Sequence, residues 1–223
     1  MSKFASLGSI AVLLVLSPSA IFSQSRPTAA TYITDEEVKV VNATPGVDRT
    51  LRVVDIGSEN FSVGIIHRGP SGAAARGAGA GAGRAAGAPA GGRAAAPPPM
   101  PCGEPATPPP AGAIPGGISH DSQTEGYYIV SGSGTLVTGG HIVNGNKSAP
   151  DAAVTRELNG PSCGGLMAGA DVVQRVVKTG DIIIIPAGVP HGWTDIADHV
   201  DYLSFRPSDH VLTAGYVHPT IRK

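Results

Sequence analysis

The chain has 223 residues, among them 31 Gly, 20 Pro and only 2 Cys, with 16 basic and 17 acidic side chains for a formal charge of −1. That balance provides neither the basic footprint of a nucleic-acid binder nor the polybasic patch of a membrane-surface protein. A leader and a low-complexity stretch take up much of the length, leaving roughly 150 residues, the size of one domain.

Residues 1–24 read as a signal peptide. Lys3 supplies a positive start, Ile10 to Leu16 a short apolar run, and Ser17-Pro18-Ser19-Ala20 a small-residue exit. The apolar run is well short of the ~20 residues of a spanning helix. An exported protein, periplasmic or secreted, with no transmembrane segment after cleavage is therefore expected. Cys102 and Cys163 suit an oxidising compartment, where a disulfide between them is expected, two unpaired thiols being the alternative. No CxxC pair or Cys/His ladder is present, which argues against a structural zinc site.

Residues 28–68 should form a short helix and the first strands. Thr34 is a candidate N-cap, with Glu37 completing a capping box and Ile33 and Val38 placed as a hydrophobic staple. The helix should stop before Pro45-Gly46. Arg49 to Ile56 and Phe61 to His67, separated by Gly57-Ser58-Glu59-Asn60, have the pattern of a hairpin.

Composition shifts over residues 69–112, a Gly/Ala/Pro stretch with no aromatic residue and Thr107 as its one β-branched residue. Such a segment buries too little apolar surface to offset its chain entropy, and a disordered insertion is predicted. Residues 113–223 should supply the rest of the barrel and a C-terminal tail. Strands are predicted at Tyr127 to Val130, Thr135 to Thr138, Val172 to Lys178, Ile182 to Ile185, His191 to Thr194 and Val200 to Arg206. Gly132-Ser133-Gly134, Gly139-Gly140, Thr179-Gly180 and Pro186-Ala187-Gly188 lie between them as turns. His141 to Ala170 reads as a long rim loop. Short strands with frequent turns indicate an all-β barrel or sandwich.

Two segments carry the chemistry. In GGISHDSQTEGYYIVSGSG, residues 116–134, His120, Glu125 and Gly132 are in the register of the first motif of the cupin superfamily, with Ile118 where that motif has its first His. In GDIIIIPAGVPHGWTD, residues 180–195, Gly180, Pro186, Gly188 and His191 match the second motif, and Asp195 stands where an Asn usually follows. The chain thus resembles a single-domain cupin over residues 114–206. The resemblance implies a jelly-roll β-barrel with one divalent metal, Fe, Mn, Zn or Ni, held by His120, Glu125 and His191. A regular strand would send His120 and Glu125 to opposite faces. Their convergence requires a turn at Asp121-Ser122-Gln123-Thr124, four polar residues suited to one. The four Ile residues that follow Asp181 should form a buried strand.

Two imidazoles and a carboxylate are the donor set of the facial triad and leave coordination positions open. Tyr127 and Trp193 share the inward parity and should line the pocket; His67 either joins them at its mouth or simply ends a strand at the surface. Asp195 is either an acceptor for the His191 ring or a solvated turn residue. His141, His199, His210 and His218 have no readable spacing. The expected partner is a small-molecule ligand, no nucleic acid is expected, and a homodimer is compatible with the fold. The functional expectation is a metal-dependent enzyme acting on a small organic molecule, of dioxygenase, isomerase or lyase type. The alternative is a non-catalytic binding module, suggested by Ile118.

Overall fold

The computed structural model describes residues 29–72, 100–208 and 210–221. The signal-peptide reading, residues 1–24, and the most repetitive part of the insertion, residues 73–99, lie outside them.

The helix forms where its caps direct it. In α1 (Asp35–Asn42) the Thr34 hydroxyl accepts from the Glu37 backbone N–H at 3.2 Å, and the Thr34 N–H donates to the Glu37 carboxylate at 3.1 Å. These bonds satisfy donors that a helix start otherwise leaves open. Val41 is fully buried against Leu51, Val63 and Ile65, with Ile33 and Val38 packed around that cluster. Burial of a side chain this size contributes about 1.5–3 kcal/mol.

The remainder is antiparallel sheet. The strands are β1 (Asp48–Asp55), β2 (Asn60–Arg68), β3 (Pro101–Cys102), β4 (Ile114–His120), β5 (Glu125–Thr138), β6 (His141–Lys147), β7 (Ser162–Ala168), β8 (Val173–Lys178), β9 (Ile182–Ile185), β10 (His191–Thr194) and β11 (Val200–Ser208). Their hydrogen-bonded order is β1-β2-β11-β5-β10-β4-β7-β6-β3, with β8 and β9 also paired to β5. β5 links the two halves: its first part lies between β11 and β9, its second between β10 and β8. Side chains from both halves meet in one interior cluster, including Ile66, Tyr127, Ile129, Leu136, Val177, Ile185, Val200 and Tyr202. The result is a jelly-roll barrel with one short helix.

Several expectations need correction. The chain runs straight through Gly132-Ser133-Gly134, so the two strands predicted there are the single 14-residue β5. Gly132 sits at φ 72°, and a Cβ there would lie 2.0 Å from the His199 carbonyl oxygen. That glycine pairs with Val200 at the point where β5 passes from β11 to β8, and does not serve a chain reversal. The stretch from His141 to Ala170 is not one loop. It contains β6, β7 and a π-helical turn at Thr155–Asn159. Glycine hid these strands, yet a Cβ on Gly165 would stand 2.8 Å from the Gly145 Cα, so glycine is what lets β6 and β7 approach.

Part of the stretch predicted as an insertion is ordered. Residues 100–112 belong to the described structure: Pro101 and Cys102 pair with Asn146 and Gly145, and Cys102 is disulfide-bonded to Cys163 with Cα atoms 6.0 Å apart. A covalent tie and a strand pairing supply order that the side chains of this segment do not. Finally, β9 is only half buried. Ile185 is 2 % exposed, but Ile182 and Ile184 are 73 % and 72 % exposed, because alternate residues of a strand face opposite sides and only one side meets the core. No helix among the described residues is long and apolar enough to cross a membrane.

Candidate metal centre

His120 closes β4, Asp121 to Thr124 turn the chain, and Glu125 opens β5. His191 opens β10 directly opposite Ile118 of β4. The Pro186-Ala187-Gly188 loop docks onto the first motif through the Gly188 N–H, which donates to the His120 carbonyl at 2.7 Å. The two motif segments therefore meet at one end of the barrel. One donor atom from each of His120, Glu125 and His191 lies within 4.8 Å of the others, and all three side chains are buried. His120 Nε2 is 3.0 Å from Glu125 Oε1, and His191 Nε2 is 3.2 Å from Glu125 Oε2.

The outward nitrogens of the rings decide what the inward ones can do. His191 Nδ1 lies 3.1 Å from the Val189 carbonyl oxygen, which only accepts, so Nδ1 carries the proton. His120 Nδ1 lies 2.7 Å from Ser162 Oγ. That hydroxyl can give its own proton to the Gly160 or Asn159 carbonyl, at 2.9 and 3.1 Å, and therefore accepts from His120. Burial further disfavours the imidazolium and lowers the His120 pKa, against the opposing pull of Glu125. Both rings turn Nε2 toward the carboxylate, and that is the nitrogen a neutral ring held through Nδ1 would offer to a cation. Three Lewis bases converging in this way fit a divalent cation in donor type and tautomer, so the His-Glu-His group could bind a metal.

Two more residues reach the carboxylate. The Tyr127 hydroxyl donates to Glu125 Oε2, and the Arg206 guanidinium contacts Glu125 Oε1 through Nη2 and His120 Nε2 through Nη1 at 3.3 Å. Burial alone would push the Glu125 carboxyl up, but Arg206 and the two imidazoles override it and hold it well below its ordinary range. Tyr127 is pushed well above its ordinary value by burial and by the Glu125 charge, so it keeps its proton and remains a donor.

Tyr127 thus belongs to the site, as its inward parity suggested. Trp193 packs into the core beneath it, its ring 5.4 Å from that of Tyr202. His67 does not line the mouth. Its neighbour Ile66 faces the interior, so His67 faces outward and pairs with Asp201 at 2.6 Å. Asp195 does not hold the His191 ring, whose Nδ1 already has Val189; it is an exposed turn residue at φ 51°. His141 pairs with Glu104 on the surface and His199 with Asp198. Arg206, Ser162, Asn159 and Gln123 went unnoticed in the sequence. Tyr202, Ser204, Arg206 and Ser208 alternate along β11 and are all buried; that run of polar residues at one parity was the available signal.

No protein-family model matches the sequence, and no curated protein matches it. Solved structures do. A conserved protein with a double-stranded β-helix domain from Klebsiella pneumoniae is 14 % identical, with 82 % of this chain and 93 % of that one covered and a TM-score of 0.36. A Bacillus halodurans protein is 12 % identical over 86 % of this chain and 92 % of its own, with a TM-score of 0.38. Oxalate decarboxylase from Lactobacillus farciminis, in a formate complex, is 10 % identical over 77 % of this chain but only 31 % of its own, with a TM-score of 0.35. With its strands ordered around one interior cluster and its two motif segments joined by strand pairing, the chain has the jelly-roll fold that the cupin resemblance of its motifs implies.

Proposed function

We propose that this is an exported, metal-dependent enzyme acting on a small organic molecule, with the metal held by His120, Glu125 and His191. The observation that carries the reading is the convergence of two Nε2 atoms on the Glu125 carboxylate, each ring fixed from behind by Ser162 or Val189. A bound divalent ion would supply Lewis acidity toward a substrate oxygen or a bound water or dioxygen. The chain's own contribution is positioning. Ser162 and Val189 hold the imidazoles, Tyr127 donates to one carboxylate oxygen, and burial below 5 % exposure excludes bulk water from all three ligands. Neutral histidines and an ionised Glu125 are the protonation states metal binding requires.

One observation favours a second reading, a metal-free binding module. Arg206 already supplies Glu125 with a positive partner. Elemental analysis of protein purified from its natural compartment and dialysed against a weak chelator separates the two. About one equivalent of a single transition metal per chain supports the enzyme; its absence, with no uptake on adding metal, leaves the binding module. Export is supported by the signal-like first 24 residues and by the disulfide. N-terminal sequencing of material from the culture fluid or periplasm tests it, and an intact Met1 would refute it.

A further inference from the structure

Arg206 is 3 % exposed and held on its far side by side chains that anchor it without neutralising it. Its Nε donates to Ser204 Oγ at 2.8 Å and Nη1 to Asn159 Oδ1 at 2.9 Å. Asn159 ends the π-helical turn, which is fixed in turn by the Ser62 hydroxyl donating to the Glu157 carbonyl at 2.9 Å. Among the described residues Nη2 contacts Glu125 alone. The guanidinium therefore has one charged partner, and that partner is also a ligand of the candidate metal centre.

The charges then need a third party. Glu125 and Arg206 together are neutral, and both histidines carry no charge in the ligand tautomer. A dication taking Glu125 leaves the compartment with two net positive charges and takes from Arg206 its only counter-ion. An unpaired buried charge is strongly disfavoured, and the guanidinium fork, which pairs bidentately with carboxylates and phosphates, already holds a carboxylate here. A neutral polar group lies beside the turn whose Asn159 holds Arg206. Gln123 is 1 % exposed with both amide atoms unpartnered, and a Cβ on Gly160, whose carbonyl accepts from Ser162, would lie 2.8 Å from its Oε1. Buried amide atoms without a protein partner are left free to bond an ordered water or a polar guest.

We propose that Arg206 is the substrate-anchoring residue of this site: it holds Glu125 in the metal-free protein and is released, when metal takes Glu125, to bind the carboxylate of a small organic acid, with Gln123 as a further polar contact. The inference rests on the metal reading above and makes metal and carboxylate binding mutually reinforcing, since each removes a charge that the other leaves exposed.

Titration of formate into protein loaded with redox-inert Zn2+ or left metal-free, with zinc content measured in every sample, tests this. Zinc-loaded wild type should bind formate at least tenfold more tightly than metal-free wild type, a comparison that needs no variant. Arg206→Met should keep one zinc per chain and lose at least tenfold in formate affinity. Arg206→Lys, which retains a charge if the Met variant does not fold, should lose less through its missing fork. Gln123→Leu should weaken formate a fewfold with zinc unchanged. Equal formate affinity with and without zinc, or a folded, zinc-loaded Arg206 variant that binds formate as the wild type does, overturns the proposal while the metal site stands. A wild type that takes up no zinc overturns both.

Discussion

The Arg206 guanidinium lies against the Glu125 carboxylate with 4 % and 0 % of the two side chains exposed. Removing one member of such a pair strands the other, whereas replacing both costs far less. Glu125→Ala should therefore destabilise the metal-free protein by about 3–5 kcal/mol, and the double variant Glu125→Gln/Arg206→Met by clearly less than the sum of its singles. Urea unfolding of the metal-free set measures this. Additive losses would mean that the two side chains do not share their charge.

Ile118 occupies the position opposite His191 and shares the strand parity of His120. Ile118→His should add a fourth ligand and tighten metal binding about tenfold or more in competition with a chromogenic chelator. His120→Ala and His191→Ala should each abolish stoichiometric uptake. His141→Ala should not, since that ring pairs with Glu104 on the surface. Full occupancy in His191→Ala would place the metal elsewhere.

The disulfide closes a sequence separation of 61 residues and is the covalent tie between the segment after residue 99 and β7. Reduction, or Cys163→Ala, should cost about 2–4 kcal/mol and expose the Cys102 region to limited proteolysis. Intact mass after alkylation, with and without reductant, establishes the bond itself. Two alkylated thiols in unreduced material would contradict it.

Asp201 accepts from His67 at 2.6 Å, Ser131 at 3.0 Å and Asn42 at 3.2 Å. Burial pushes its carboxyl up, but these donors prevail and hold it below its ordinary value of 3.8. A carboxyl depressed in the folded state stabilises above its unfolded pKa, and that contribution is lost as pH falls through the folded value. Asp201→Asn should therefore be less stable than wild type at about pH 6, with the gap closing as pH falls below the ordinary carboxyl value of 3.8. Thermal melts across that range decide it, and a gap independent of pH would assign the loss to packing.

Local chemistry was legible from the residues alone. The Thr34–Glu37 capping box placed α1, the Ile and Val runs placed most strands within a residue or two, and the spacing of the two motifs pointed to the three residues that converge in the candidate metal centre. Each of these depends on neighbours along the chain, so the order of residues was enough. Tertiary structure decided what depends on distant partners. The strand pairing of Cys102, the glycine-paved approach of β6 and β7, the outward turn of His67 toward Asp201, and the arrival of Arg206 beside Glu125 all bring together residues far apart in the chain. An arginine on the last strand looks solvated until its parity and its partner across the barrel are known. Burial and charge pairing are properties of the folded assembly of strands, and no single segment carries them.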